Sequence, residues 1–477
     1  MKHSLTVAVV LVWLAMMARL VREQSAPPAL DVTALPPAAA GADAGEDWFG
    51  VYQAGHKVGH GHRLTRRTDA GYRVEDETDL TLAMLGTRQP IRTTVVAETD
   101  AAFALRSFRF TLASPAATFT ATGTTDGRRL TVRYGDAADP VVIPLEEPIA
   151  LPTTLRPRIV AAHAAAGTRY TESVLSPITF RKETITVTVE GHETVDGDDT
   201  LHVVEEQHGL RADVWLAPDG GVVRESGMLG FVLQREPRAT AVARTDPSAP
   251  LDVAVAARIP LDGTIGNPRE LDALTLRVTG DAAGRIPDDP PRQRRTGDVL
   301  RVVREPTPAM DATTDDPAAA PFAAPSAFIE SDDPAIVSRA RVIVGGERDA
   351  AVKARRIVRW VHENLTQEPS LTVPSARDVL RARRGDCNEH AVLVAALARA
   401  AGIPARVVAG AVYANDGFYY HAWDEVWLGR WVSADAVFAQ LPVDATHVKL
   451  ADGETDQELA VAAVVGRLAF ATVGRGS

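Results

Sequence analysis

The feature that most constrains this chain is a change of hydrophobic period partway along it. From Asp47 to about Glu236, apolar and polar residues alternate one by one, with breaks at Gly, Asp and Pro. Leu80, Leu82 and Met84 show the pattern, as do Phe108, Phe110 and Leu112, then Leu130, Val132 and Tyr134, then Ile185, Val187 and Val189. Successive side chains of a strand point to opposite faces, so this alternation means strands buried on one face. Between the apolar stretches 214–216 and 222–224, Pro218-Asp219-Gly220 has the chemistry of a turn. The region predicts a large, curved antiparallel sheet, with one helix at 155–166. From Asp332 the spacing becomes helical. Asp332 and Asp333 stand before Pro334 as an N-cap followed by proline in the first turn. Ala354, Ile357, Val358, Val361 and Leu365 then share one face, and Leu393, Ala396, Leu397 and Ala400 share another in a helix that stops at Gly402-Ile403-Pro404. Strands are expected at 406–413, 421–428 and 431–436, with two more at 447–450 and 464–473.

The fold class is therefore α+β: a large antiparallel β-rich domain, then a C-terminal domain in which a helix packs on an antiparallel sheet. A chain of 477 residues exceeds one ordinary core. The division reads 46–237 for the β-rich domain, 250–305 for a smaller strand-rich unit (251–259, 274–278 and 299–303), and 329–477 for the C-terminal domain. Residues 23–45 and 306–328, rich in Ala and Pro, read as unpacked linkers. A net charge of -11 and an isoelectric point near 5.6 leave no electrostatic footprint for nucleic acid. The one basic cluster, Arg292, Arg294 and Arg295, sits among prolines and reads as a loop.

Lys2 and His3 precede an apolar run, 5–18, that ends at Arg19 and can extend to 21. It is short of the roughly 20 residues that span a bilayer comfortably, and no clean A-x-A cleavage site follows it. Whether cleaved signal or retained anchor, it places the body outside the cytoplasm. The expectation is a periplasmic protein of a bacterium, tethered to the inner membrane by 5–21 within a segment 1–22.

One cysteine excludes an intrachain disulfide and makes that thiol the residue to trace. Cys387 opens the helix that runs to about 401, in Arg384-Gly385-Asp386-Cys387-Asn388-Glu389-His390. Unpaired amides and the macrodipole at a helix start favour a thiolate and can hold an oxyanion. A nucleophilic thiol needs a base and the base an orienting group. His421, in Tyr420-His421-Ala422-Trp423-Asp424-Glu425-Val426-Trp427, and Asp435, in Trp431-Val432-Ser433-Ala434-Asp435, are the candidates.

Their geometry depends on loop parity. A two-residue turn at Gly429-Arg430 would pair Asp424 with Asp435 and turn His421 to the other face. A three-residue loop, 428–430, pairs Trp427 with Trp431 and puts His421 and Asp435 on one face as diagonal neighbours. The triad requires an odd loop or a bulge.

In the order Cys, His, Asp, these stretches resemble the transglutaminase-like superfamily, with its G-x-C-x-x-x-A helix start, H-A-W-x-E-V strand and W-V-x-x-D strand. The resemblance covers about 334–448. It implies a papain-like fold in which Cys387, served by His421 and Asp435, attacks an amide or ester carbonyl to give a thioacyl intermediate, resolved by water or by an amine. The substrate would be a peptide or protein, and no cofactor is implied. The stretch from Trp48-Phe49-Gly50-Val51-Tyr52 to Gly55-His56-Lys57-Val58-Gly59 also looks like the amino-terminal half of some bacterial extracytoplasmic members. The rival reading is a catalytically silent scaffold or binding protein.

Other residues have plainer explanations. His390, one turn after Cys387, could join a Cys-His-His metal site, yet helix packing explains it as well. His60 and His62 share a strand face, which an exposed surface explains. Trp423, Glu425, Trp427 and Trp431 read as hairpin packing, Asn388 and Glu389 as shaping the helix start, and Asp386 as an N-cap.

Overall fold

The computed structural model describes residues 45–135, 140–243, 252–306, 317, 319–373, 375–453, 461, 464 and 466–476. The apolar run 5–21, the spacer 23–44 and positions 307–316 of the second linker lie outside the described residues.

Among the described residues, fourteen strands from Gly45–Gln53 to Phe231–Arg235 form one antiparallel sheet. It is two meanders joined in the middle. The strands up to Val141–Pro144 each pair with the next, as do those from Arg169–Leu175 onward, and the first strand pairs with the last through Phe49 opposite Arg235 and Val51 opposite Leu233. The alternation seen in sequence supplies the inner face: Phe49, Val187, Val214 and Leu216 share one core with Leu155 and Ile159 of α1 (Pro152–Ala161). That helix starts at Pro152 rather than 155, since proline at the first turn costs no hydrogen bond.

The second sheet has nine strands among the described residues. Its order is Gln293–Thr296, Val299–Val303, Ala273–Thr279, Ala469–Gly476, Ile259–Asp262, Gly417–Trp427, Ala405–Ala414 and His447–Gly453, with Trp431–Ala434 on the far end of Gly417–Trp427. The strands expected between 250 and 305 thus belong to the same sheet as those of the C-terminal domain. Three readings are corrected. Where a strand was expected from 251, Asp252 caps a single helical turn, Val253–Ala256, by accepting the Ala254 and Val255 amides at 3.0 and 3.2 Å, and the strand begins at Ile259. The basic cluster is no loop: Gln293–Thr296 is a strand, and Arg292, 3% exposed, donates to Glu305 Oε2 at 3.0 Å. Composition also concealed packing at the end of the expected linker, where Ala319 is buried and Ala324 O accepts from Arg399 Nη1 at 2.7 Å.

Among the described residues, four helices cover the C-terminal part: α2 (Pro334–Val344), α3 (Ala350–Asn364), α4 (Ala376–Ala382) and α5 (Cys387–Ala400). Asp333 caps α2 with Pro334 behind it, and Ala354, Ile357, Val358 and Val361 of α3 are buried as their spacing requires. In α5 every residue from Glu389 to Arg399 is buried, not one face alone. A helix apolar all round is a central one, and the alanines 391, 395, 396 and 398 let its neighbours approach closely. The two regions meet at an aromatic cluster, where the Phe328 ring lies 6.1, 5.7 and 5.6 Å from those of Phe119, Tyr134 and Phe180. No helix among the described residues is long and apolar enough to cross a membrane.

Candidate active site

Cys387 is the first residue of α5, and its position is set by a reciprocal cap. Asp386 accepts the Asn388 amide at 2.8 Å, and Glu389 Oε2 accepts the Asp386 amide at 2.8 Å. Gly385, at φ +150°, is needed for the second bond, because a Cβ there would stand 2.4 Å from Glu389 Cγ. Tyr420 Oη donates to Asn388 Oδ1 at 2.7 Å, fastening the helix start to the strand Gly417–Trp427. The backbone amide of Ala422, the residue after His421, acts on the Cys387 sulfur in the direction that favours its thiolate.

The hairpin takes the three-residue loop. Trp427 pairs with Trp431 and Asp424 with Ala434, and the Leu428 amide closes on Arg430 O at 2.8 Å. His421 and Asp435 consequently meet: Nε2 lies 2.7 Å from Asp435 Oδ2, with the two residues 5% and 1% exposed. The other oxygen, Oδ1, accepts the amides of Val437 at 2.7 Å and Phe438 at 3.4 Å. Burial by itself raises a carboxyl, but His421 and a second histidine, His447, outweigh it and hold Asp435 far below the usual carboxylate range. His421 thus uses Nε2 on this carboxylate, and Nδ1 is its other ring nitrogen.

Sequence reasoning missed His447. It is fully buried, its Nε2 is 3.0 Å from Asp435 Oδ2, and its Nδ1 is 3.4 Å from Asp444 Oδ1. The available signal was Asp444-Ala-Thr-His447, an acid and a histidine three positions apart at the start of a predicted strand; nothing local told that it would face Asp435. Room for the adjacent Trp423 comes from Gly410, where a Cβ would be 2.1 Å from Val448 O and 2.6 Å from the indole ring.

One expectation is reversed. Burial first, then Asp386, push the Cys387 thiol well above its ordinary value; Glu389 and Asp435 add to this, and the Ala422 amide opposes it. The helix start alone does not make this sulfur a thiolate. His390 is not a partner of the thiol: it is 3% exposed, its Nδ1 is bonded to Asp386 O at 2.6 Å, and burial lowers its basicity. His421, Asp435 and His447 are the group of possible metal ligands found together among the described residues. Their separations are those of hydrogen bonds, whereas two ligands of one zinc ion stand about 3.3 Å apart. Asn388 and Glu389 shape the helix start as their positions suggested, and His62 stacks on Trp48 at 4.2 Å in the first sheet.

The model of the transglutaminase-like superfamily matches residues 337–436, a span that contains Cys387, His421 and Asp435. This part of the chain is a transglutaminase-like domain. Among curated proteins nothing matches the chain. Among solved structures, a protein proposed to be a cysteine protease from Cytophaga hutchinsonii is 18% identical, over 43% of this chain and 86% of its own, with a TM-score of 0.30. A β-barrel-like protein with a domain of unknown function from Brucella abortus is 12% identical over 41% and 95%, with a TM-score of 0.34. The periplasmic domain of TgpA from Pseudomonas aeruginosa is 20% identical over 38% and 89%, with a TM-score of 0.26.

Proposed function

We propose that this protein is a cysteine amidohydrolase acting on peptide or isopeptide bonds, with Cys387 as nucleophile, His421 as base and Asp435 as orienting group. The Cys387 sulfur attacks the carbonyl carbon as its proton passes to His421 Nδ1. The C–N bond then breaks, the departing amine takes that proton, and a thioester remains on the sulfur. Water, giving up a proton to His421, hydrolyses the thioester and restores the thiol; an amine in place of water would give transamidation. The observation that carries this reading is the buried His421–Asp435 bond of 2.7 Å, beside a helix start at Cys387 that Tyr420 of the same strand fastens through Asn388 at 2.7 Å. Since burial and acidic neighbours oppose a lone thiolate, the proton leaves the sulfur only as His421 accepts it. The base is therefore indispensable.

The site of action in this proposal is outside the cytoplasm, with 5–21 holding the body to the membrane. Support comes from the apolar run after Lys2 and the Ala- and Pro-rich spacer behind it. A reporter active only outside the cytoplasm, fused after residue 45, should light up in whole bacteria; a silent fusion sinks the location.

The raised thiol also favours a second reading, a silent scaffold whose fold is kept without turnover. One experiment separates the two. Iodoacetamide alkylation of Cys387 is followed across pH in the wild type and in His421→Ala. A reactive plateau at about pH 6, well below the range of a free thiol, that vanishes in the variant supports the enzyme. A curve rising only above about pH 8, the same in both proteins, leaves the scaffold.

A further inference from the structure

The triad's carboxylate is shared. His447 approaches the same oxygen, Asp435 Oδ2, as His421 does, at 3.0 against 2.7 Å. Behind it stands a continuous polar chain. His447 Nδ1 is 3.4 Å from Asp444 Oδ1, which also accepts the Thr446 amide at 2.8 Å and its hydroxyl at 2.5 Å. Asp444 Oδ2 in turn accepts Arg269 Nη1 at 2.7 Å. The backbone is pinned too, since Arg292 Nη2 donates to Asp444 O at 2.8 Å and to His447 O at 3.0 Å. Arg269 and Arg292 both come from the strand-rich unit before the transglutaminase-like match. Arg269 also lies 4.0 Å from the Phe438 ring centroid, and Phe438 packs on both histidines, at 5.3 and 5.9 Å between ring centroids.

A carboxylate that orients a base must itself be held. Asp435 has two backbone donors on Oδ1, and Oδ2 would be free to follow the His421 ring were it not for His447. We propose that His447 is a positioning residue of this site, fixing Asp435 Oδ2 and through it the ring of His421, with Arg269 of the preceding unit bracing it by way of Asp444. The unit 259–305 is then a working part of the active site. This inference rests on the reading of Cys387 and His421 as the reacting pair, and its test has one arm that does not depend on that reading.

The variants are His447→Leu, which removes the donor, His447→Gln, which keeps a donor toward Asp435, and Arg269→Met, which cuts the brace at its outer, partly exposed end. Two quantities are measured: the alkylation rate of Cys387 at about pH 6, and the low-field proton resonance of the His421 Nε2–H, assigned by its loss in His421→Ala. In His447→Leu the rate should fall about tenfold or more and the resonance should move downfield, because the carboxylate has one donor fewer. His447→Gln should recover most of both, and Arg269→Met should change both in the same sense by less. An unmoved resonance in His447→Leu, or equal behaviour of Leu and Gln at this position, overturns the proposal. Were the wild type to show no reactive plateau, the acyl-transfer reading would fall, while the resonance would still decide whether His447 holds Asp435. Should His447→Leu not fold, the comparison of His447→Gln and Arg269→Met with wild type decides: a resonance unmoved in Arg269→Met overturns the brace.

Discussion

Two buried carboxylates, one in each region, have been driven in opposite directions. Glu172 of the N-terminal sheet is 4% exposed and Asp435 of the C-terminal domain 1%. Each has a basic neighbour: Arg158 lies 3.1 Å from Glu172, and His421 lies 2.7 Å from Asp435. Burial pushes Glu172 up to about 7 despite Arg158, while Asp435 is held far below the usual range. The difference is in the donors. Glu172 Oε1 has no hydrogen-bond partner, and neither do Arg158 Nε and Nη1. Asp435 has its four contacts, two on each oxygen. One ion pair does not replace a carboxylate's hydration; a filled set of donors does. Asp424 makes the same point from eleven positions along the hairpin: fully buried, with neither oxygen bonded, it is pushed well above the ordinary value, burial first and Asp435 second.

The largest effect expected from this contrast is at Asp435. Asp435→Ala should cost about 3–5 kcal/mol, because two buried histidines lose their acceptor, and should lower Cys387 alkylation at about pH 6 by two orders of magnitude or more. Denaturant unfolding and the alkylation rate measure the two; a loss below about 1 kcal/mol would make Asp435 equivalent to a surface pair. Next comes pH. A carboxyl depressed on folding adds stability above its unfolded value of about 3.9, and loses it as pH falls from there toward the folded value. Glu172 has the opposite sign. Its proton is held more tightly in the folded state, so it withdraws stability as pH rises from about 4.3 toward 7. Glu172→Gln should therefore flatten that decline, with a gain on the order of 1–2 kcal/mol at neutral pH, read from unfolding curves at pH values on either side of the window. If the decline persisted in the variant, Glu172 would not be its source. The smallest effect is reserved for Asp424→Asn, which removes a carboxyl whose charged form burial and Asp435 already disfavour. It should change stability by less than about 1 kcal/mol; a large loss would mean that Asp424 is ionised and paired.

Much of the site was legible because its determinants are local. The helix start at Cys387 follows from Asp386 and Glu389, three positions apart, and the meeting of His421 with Asp435 follows from counting the residues of one hairpin loop. The period-two alternation likewise announced the large sheet, since each of its strands pairs mostly with its sequence neighbour. What could not be read is what long-range contact decides. His447 reaches Asp435 only because its strand lies on Ala405–Ala414, and Arg292 looked like a loop residue because its partners Glu305, Asp444 and His447 come from two later segments. The expectation of a lowered thiol failed for a related reason. Capping and dipole can be counted from the helix start, but the half-burial of Cys387 and the approach of Asp435 are properties of the assembled domain.

The strand Ala469–Gly476 lies between Ala273–Thr279, to which it is antiparallel, and Ile259–Asp262, to which it is parallel. As a chain is synthesised, the earlier two strands emerge long before it does. Until it arrives they present two raw edges to each other and to every other chain nearby, with a gap of one strand between them. Closure across such a sequence distance is slow. The joint between the unit 259–305 and the transglutaminase-like domain thus waits on the last-made strand described in this sheet, and until then both edges are open to pairing with a neighbour.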